Sequence, residues 1–110
     1  MLLATAHDDV IRLRASTRLS RAYGYEVSAY VTRGVLVDTV FPRAWPELAA
    51  WLRGHPLQGV LVTHHHEDHG GNAGALASLG VPVGMAAATR EAMRSAHRPG
   101  LYRRLTWGLP

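Results

Sequence analysis

The hydrophobic pattern changes period along the chain. Val10-Ile11-Arg12-Leu13-Arg14 alternates after Ile11 and reads as an edge or half-exposed strand. Ser16 to Arg21 is polar and reads as a loop. Tyr25 to Thr32 reads as a second strand, Arg33-Gly34 as a turn, and Val35-Leu36-Val37 as a third strand returning in a hairpin. Phe41 to Trp45 is a connection. Pro46 suits the first turn of a helix, and Glu47 suits its positive N-terminal end. Leu48, Trp51 and Leu52 share one face of that helix, and Gly54 stops it. After the turn at His55-Pro56, a central strand begins near Gln58. Its run Val60 to Thr63 is short and β-branched, as in a buried strand. A helix from about Gly71 to Leu79 ends at Gly80, with small residues that permit close packing on a sheet. Val81 to Ala86 reads as another strand. Thr89 is a good N-cap for a helix over Arg90 to His97, which Pro99-Gly100 terminates.

From Val35 onward strands and helices alternate, which predicts an α/β fold with parallel βαβ units beside an antiparallel hairpin region. One polar block interrupts this order: Thr63-His64-His65-His66-Glu67-Asp68-His69-Gly70-Gly71-Asn72. It leaves the C-terminal end of the central strand, where open α/β sheets place their sites. In an extended continuation, His64, His66 and Asp68 point one way, and His65 and Glu67 the other. His64 and His66 then reach one metal ion together. A turn, which Gly70 and Gly71 permit, brings Asp68 and His69 to a second ion. Imidazole and carboxylate together suit zinc, and also iron or manganese. The block is internal, unlike a terminal tag. No cysteine accompanies it, as a structural zinc site usually requires, and the spacing is not that of the His-Glu-x-x-His helix.

The pattern Thr63-His64-x-His66-x-Asp68-His69 resembles the signature of metallo-β-lactamase-fold hydrolases, and Thr63 to Asn72 is especially similar to the glyoxalase II-like members. The resemblance implies an αββα sandwich with a dinuclear metal site at its edge. It implies that His64 and His66 bind the first metal, and Asp68 and His69 the second. It also implies that Asp38, which ends the third strand, supports the metal loop by accepting hydrogen bonds rather than by binding metal. The family's strand ends Asp-Thr-Gly, whereas this chain has Asp38-Thr39-Val40. A different backbone turn is therefore expected at Val40. The absence of cysteine, and the histidine directly after Asp68, set the chain apart from the zinc β-lactamases that use a cysteine ligand.

Composition adds bounds. With 110 residues, 47% of them hydrophobic, the chain can bury one modest core. The formal charge is +4, but the twelve basic residues, all arginine, are spread along the chain. Only Tyr102 to Trp107 mixes bases with aromatics, which argues against a nucleic-acid partner. No stretch approaches a transmembrane length, and Met1 to Ala6 lacks the features of a signal peptide. A cytoplasmic location is the expectation.

A dinuclear site of this family needs another histidine for each metal, and usually a bridging aspartate, from the second half of the fold. His55 lies at the far end of the central strand, roughly 20 Å from the block at ~3.3 Å per residue. His97 ends a helix and lies roughly 12 Å away at ~1.5 Å per residue. His7 precedes the first strand and has no assigned place. Leu101 to Pro110 reads as the start of a further element. The expectation is therefore the N-terminal half of the family's fold, in one domain over residues 1–110, with an exposed sheet face through which it could self-associate. The function implied by the resemblance is hydrolysis of a small-molecule ester, thioester or lactone by a water activated between two metal ions, with Asp68 orienting the hydroxide. The alternatives are a phosphodiester-cleaving nuclease of the same fold, and a non-catalytic half-domain that binds metal weakly.

Overall fold

The structure, a computed structural model, describes residues 1–64 and 67–94, with the backbone alone at 67, 68 and 94. Among the described residues, six strands form one mixed sheet in the order of the chain: β1 (Leu2–His7), β2 (Val10–Ala15), β3 (Val27–Thr32), β4 (Val35–Val37), β5 (Gly59–Val62) and β6 (Val83–Met85). The first four run antiparallel, whereas β4, β5 and β6 are parallel. Of the antiparallel pairs, β1–β2 and β3–β4 turn tightly, whereas α1 (Arg18–Ala22) lies between β2 and β3. The parallel ones need crossovers, and helices supply them. A 3₁₀ turn (Pro42–Ala44) and α2 (Trp45–Leu52) join β4 to β5, while α3 (Glu67–Gly70) and α4 (Ala73–Ser78) join β5 to β6; α5 (Ala87–Arg94) follows.

Alternation decides which side chains enter the core. Leu13, Ala29, Val31, Leu36, Val60 and Val62 bury one face of the sheet. Leu48 of α2 and Ala73 and Leu76 of α4 pack into the same cluster. On the opposite face, one row runs across the whole sheet through Thr5, Arg12, Tyr30, Val37, Leu61 and Gly84. That row grades from polar at β1–β2 to apolar at β4–β5, and it leaves Leu61 52% exposed.

Several expectations are corrected. Leu2 to His7 is a strand, and His7 sits at its end opposite Val10. The polar segment Ser16 to Arg21 is not a loop: it contains most of α1 (Arg18–Ala22). Thr17 Oγ1 accepts from the Ser20 N–H, and Ser20 Oγ accepts from the Thr17 N–H. This reciprocal capping box uses serine in place of glutamate, so the short helix carried no apolar stripe to announce it. Thr89 is not an N-cap: α5 already begins at Ala87. The end of that helix, His97 and the Tyr102 to Trp107 stretch lie outside the described residues. The expected Gly71 to Leu79 helix is α4, which starts only at Ala73, after the separate short helix α3 and a turn at Gly71-Asn72.

Candidate metal centre

The site forms where two neighbouring parallel strands end. The Asp38 N–H donates to Leu61 O (2.8 Å), continuing the β4–β5 ladder by one residue. The chain then leaves the sheet through Asp38, whose φ is +63°. This left-handed conformation is uncommon outside glycine, although aspartate tolerates it better than most residues. It aims the Asp38 carboxylate at the end of β5, where Thr63 meets it.

Asp38 is 8% exposed, yet its oxygens are well supplied with donors. The Thr63 backbone N–H donates to Oδ1 (2.8 Å), and the Thr63 hydroxyl lies 2.8 Å from Oδ2. His69 Nδ1 lies 3.1 Å from Oδ2. Burial pushes the Asp38 carboxyl upward, but the His69 ring, the Thr63 N–H and the Thr63 hydroxyl outweigh it and hold the group below its usual value of 3.8.

An ionised carboxylate only accepts, and this fixes the protons around it. His69 must donate from Nδ1, which leaves Nε2 with a lone pair when the ring is neutral. The Thr63 hydroxyl must donate to Asp38, so at its 3.0 Å contact with His64 Nδ1 it accepts. His64 then also carries its proton on Nδ1. Orienting a ligand histidine through its other nitrogen is the usual device of metal sites.

The His64 and His69 rings lie 4.0 Å apart between centroids, tilted by 44°. One ligand atom from each of Asp38, His64 and His69 falls within 4.8 Å of the others. Among the described residues this is the group able to hold a metal ion, and its donor set of two imidazoles and a carboxylate suits zinc.

The structure brings His64 and His69 together and sets Asp38 beside them as the acceptor of the His69 Nδ1 hydrogen bond. His66, with its neighbour His65, lies outside the described residues. Asp68 lies on α3, and its side chain is not described. The extended reading does not reach Asp68, and its pairing of His64 with His66 lies outside the described residues. The strand stops at Val62 and the chain is helical from Glu67, so helical spacing sets the directions of Asp68 and His69. Thr63 opens the signature read from the sequence, but no role was assigned to it there. Its signal was its place at the end of one strand, with an aspartate ending the parallel strand beside it.

At Val40 a different backbone turn was expected from the change of glycine to valine. Val40 has φ +54°, in the left-handed region that favours glycine. Gly70 matters for closeness instead. A Cβ there would meet Val62 Cγ1 at 3.3 Å and the His64 carbonyl at 3.4 Å, so α3 lies against the end of β5.

Residues 23–106 match the family model of the metallo-beta-lactamase superfamily, and the chain belongs to that superfamily. Solved structures with a similar fold include a metallo-β-lactamase from Pontibacter korlensis. It is 21% identical at a TM-score of 0.74, covering 90% of this chain and 50% of that one. The mono-zinc form of FIM-1 from Pseudomonas aeruginosa is 20% identical at 0.73, covering 86% and 46%. A metallo-β-lactamase from Hirschia baltica is 25% identical at 0.70, covering 91% and 50%. The chain therefore spans about half the length of the solved structures it matches, consistent with the N-terminal half of the fold. Comparison with curated proteins finds no significant match. Among the described residues no helix is long and apolar enough to cross a membrane.

Proposed function

We propose that this chain supplies the metal-binding half of a metal-dependent hydrolase acting on a small-molecule ester, thioester or lactone. The observation that carries the reading is the convergence of Asp38, His64 and His69 at the end of two parallel strands. Superfamily membership supports the hydrolase class. The run from Thr63 to Asn72 favours a glyoxalase II-like member, and the absence of cysteine agrees with that.

His64, His66, Asp68 and His69 would hold the metal, with zinc the best fit to these donors. Bound zinc supplies Lewis acidity, polarising a carbonyl oxygen and lowering the pKa of water toward neutrality. Asp38 acts on the ring protons: it takes the Nδ1 hydrogen bond of His69 directly and reaches His64 through the Thr63 hydroxyl. Both imidazoles thereby present Nε2 as an acceptor. Catalytic zinc usually takes three protein ligands beside its open position, so the remaining ligands would come from the second half of the fold.

The test measures zinc content and affinity by chelator competition, for the wild-type chain and for His64→Ala and His69→Ala. Turnover of ester, thioester, lactone and phosphodiester panels follows, at equal metal loading. We expect metal binding that either substitution strips. We expect slow turnover by the 110-residue chain, and faster turnover when it is extended by the remaining half of the fold. A wild-type chain that takes up no divalent metal at micromolar concentration would overturn the reading. Phosphodiester cleavage alone would move it to a nuclease, and metal binding without turnover in the extended form to a non-catalytic domain.

A further inference from the structure

A second group of hydrogen bonds lies behind the histidines, and no expected ligand side chain takes part in it. Its members are Thr39, fully buried, and Asn72, 3% exposed. The Asn72 side-chain amide donates to the carbonyls of Thr39 (2.8 Å) and Phe41 (2.9 Å). Those two carbonyls flank Val40. A buried β-branched residue in the left-handed region is strained and persists only where its surroundings over-determine it. Here the surroundings are identifiable. The two protons of one amide group hold the carbonyl before the bend and the carbonyl after it.

Thr39 carries this constraint toward the metal centre. The Asn72 backbone N–H donates to Thr39 Oγ1 (2.9 Å), which leaves the hydroxyl proton for the His69 carbonyl (2.9 Å). The Thr39 N–H donates to the same carbonyl. His69 is therefore held by its main chain from Thr39 and by its ring from Asp38, two consecutive residues. The direction of both depends on the bend that Asn72 braces.

We propose that Asn72 is a positioning residue for the metal centre: by bracing Val40 in its left-handed conformation it keeps Asp38 and Thr39 aimed at His69, and so fixes the place and the Nδ1–H tautomer of that ring. The proposal rests on the metal-centre reading only for its effect on affinity. Its effect on the tautomer is a property of the metal-free chain. It also explains how valine is accommodated where the turn favours glycine. A glycine at position 40 would adopt the bend without bracing, so Val40→Gly should make Asn72 less necessary.

The experiment is nitrogen-15 NMR of the imidazole rings in the metal-free chain, with His69 assigned by its loss in His69→Gln, together with zinc affinity by chelator competition. The wild type is expected to show His69 as the Nδ1–H tautomer. Asn72→Ala is expected to mix the tautomers and to weaken zinc binding roughly 10-fold or more, and adding Val40→Gly to recover a large part of both. Thr39→Val, which removes only the hydroxyl link to His69, is expected to weaken affinity in the same direction, and Thr39→Ser to restore it. Should Asn72→Ala fail to fold, the Thr39 pair decides the question. A lower melting temperature in Asn72→Ala or Thr39→Val, with the His69 tautomer and zinc affinity unchanged, would reduce these residues to ordinary packing and overturn the proposal. A tautomer change in a chain whose wild type binds no zinc would uphold the bracing role and overturn the metal reading instead.

Discussion

Among the described residues, four other than glycine adopt left-handed backbone conformations, and they fall into two pairs. Asp8 and Arg33 lie in exposed hairpin turns, whereas Asp38 and Val40 are buried at the metal centre. In the hairpins the conformation is a local matter. Arg33 (φ +50°) and Gly34 (φ +79°) both have the positive φ that a tight two-residue turn needs to match the twist of its strands. Arg33 and Asp9 approach to 3.8 Å across the neighbouring turns, but both are well exposed and screened. At Asp38 and Val40 no turn rule demands the conformation. Hydrogen bonds from Thr63, His69 and Asn72, all distant in sequence, hold it there. The same backbone geometry thus closes a loop in one place and aims a carboxylate in the other. Only the second should be coupled to function.

Substitutions can break this contrast. The largest effect is expected at Asp38. Asp38→Ala removes the shared acceptor of Thr63 and His69 and should weaken zinc affinity by roughly 10–100-fold, measured by competition. An unchanged affinity would make Asp38 an ordinary strand-end residue. Next, Thr63→Val keeps the backbone N–H but removes the hydroxyl from a buried carboxylate. A loss of about 1–3 kcal/mol in denaturant unfolding is expected. Acid titration sharpens the same point. The folded Asp38 carboxyl titrates below its unfolded value of 3.8, so its contribution is complete above that value and lost as pH falls through the lower folded one. The stability gap between wild type and Asp38→Asn should therefore narrow as pH falls below 3.8, and a gap independent of pH would remove the carboxylate's role. The smallest effect is expected in the hairpin. Arg33→Asn should stabilise by about 0.5–1 kcal/mol, because asparagine tolerates the left-handed region better, and zinc affinity should not move.

What the sequence could show follows the range of the interactions involved. The strands around Leu13, Val31, Leu36 and Val60 were legible because alternation and β-branching are local. So was the parallel order, which follows from helices placed between strands. The helix at Arg18–Ala22 was not, because its signal is a pair of hydroxyls making a capping box, and a short polar stretch reads equally as a loop. In the site, residue types identified His64 and His69. Their directions were not legible, since the change from strand to helix between Val62 and Glu67 carries no periodic signal. Thr39 and Asn72 were invisible for a different reason. A threonine and an asparagine become a brace only when the fold brings them together across 33 positions.

That separation has a consequence for how the chain folds. The hairpins β1–β2 and β3–β4 pair residues close in sequence, so little chain entropy opposes their closure. By contrast, Asp38 meets Thr63 across 25 positions, and Thr39 meets His69 across 30. Closing such loops is slower and is rewarded only once the parallel strands have paired. The histidine centre is thus expected to be among the last parts of the molecule to assemble. In a refolding experiment, recovery of zinc uptake should lag behind recovery of strand signal, making the metal a reporter of completed topology.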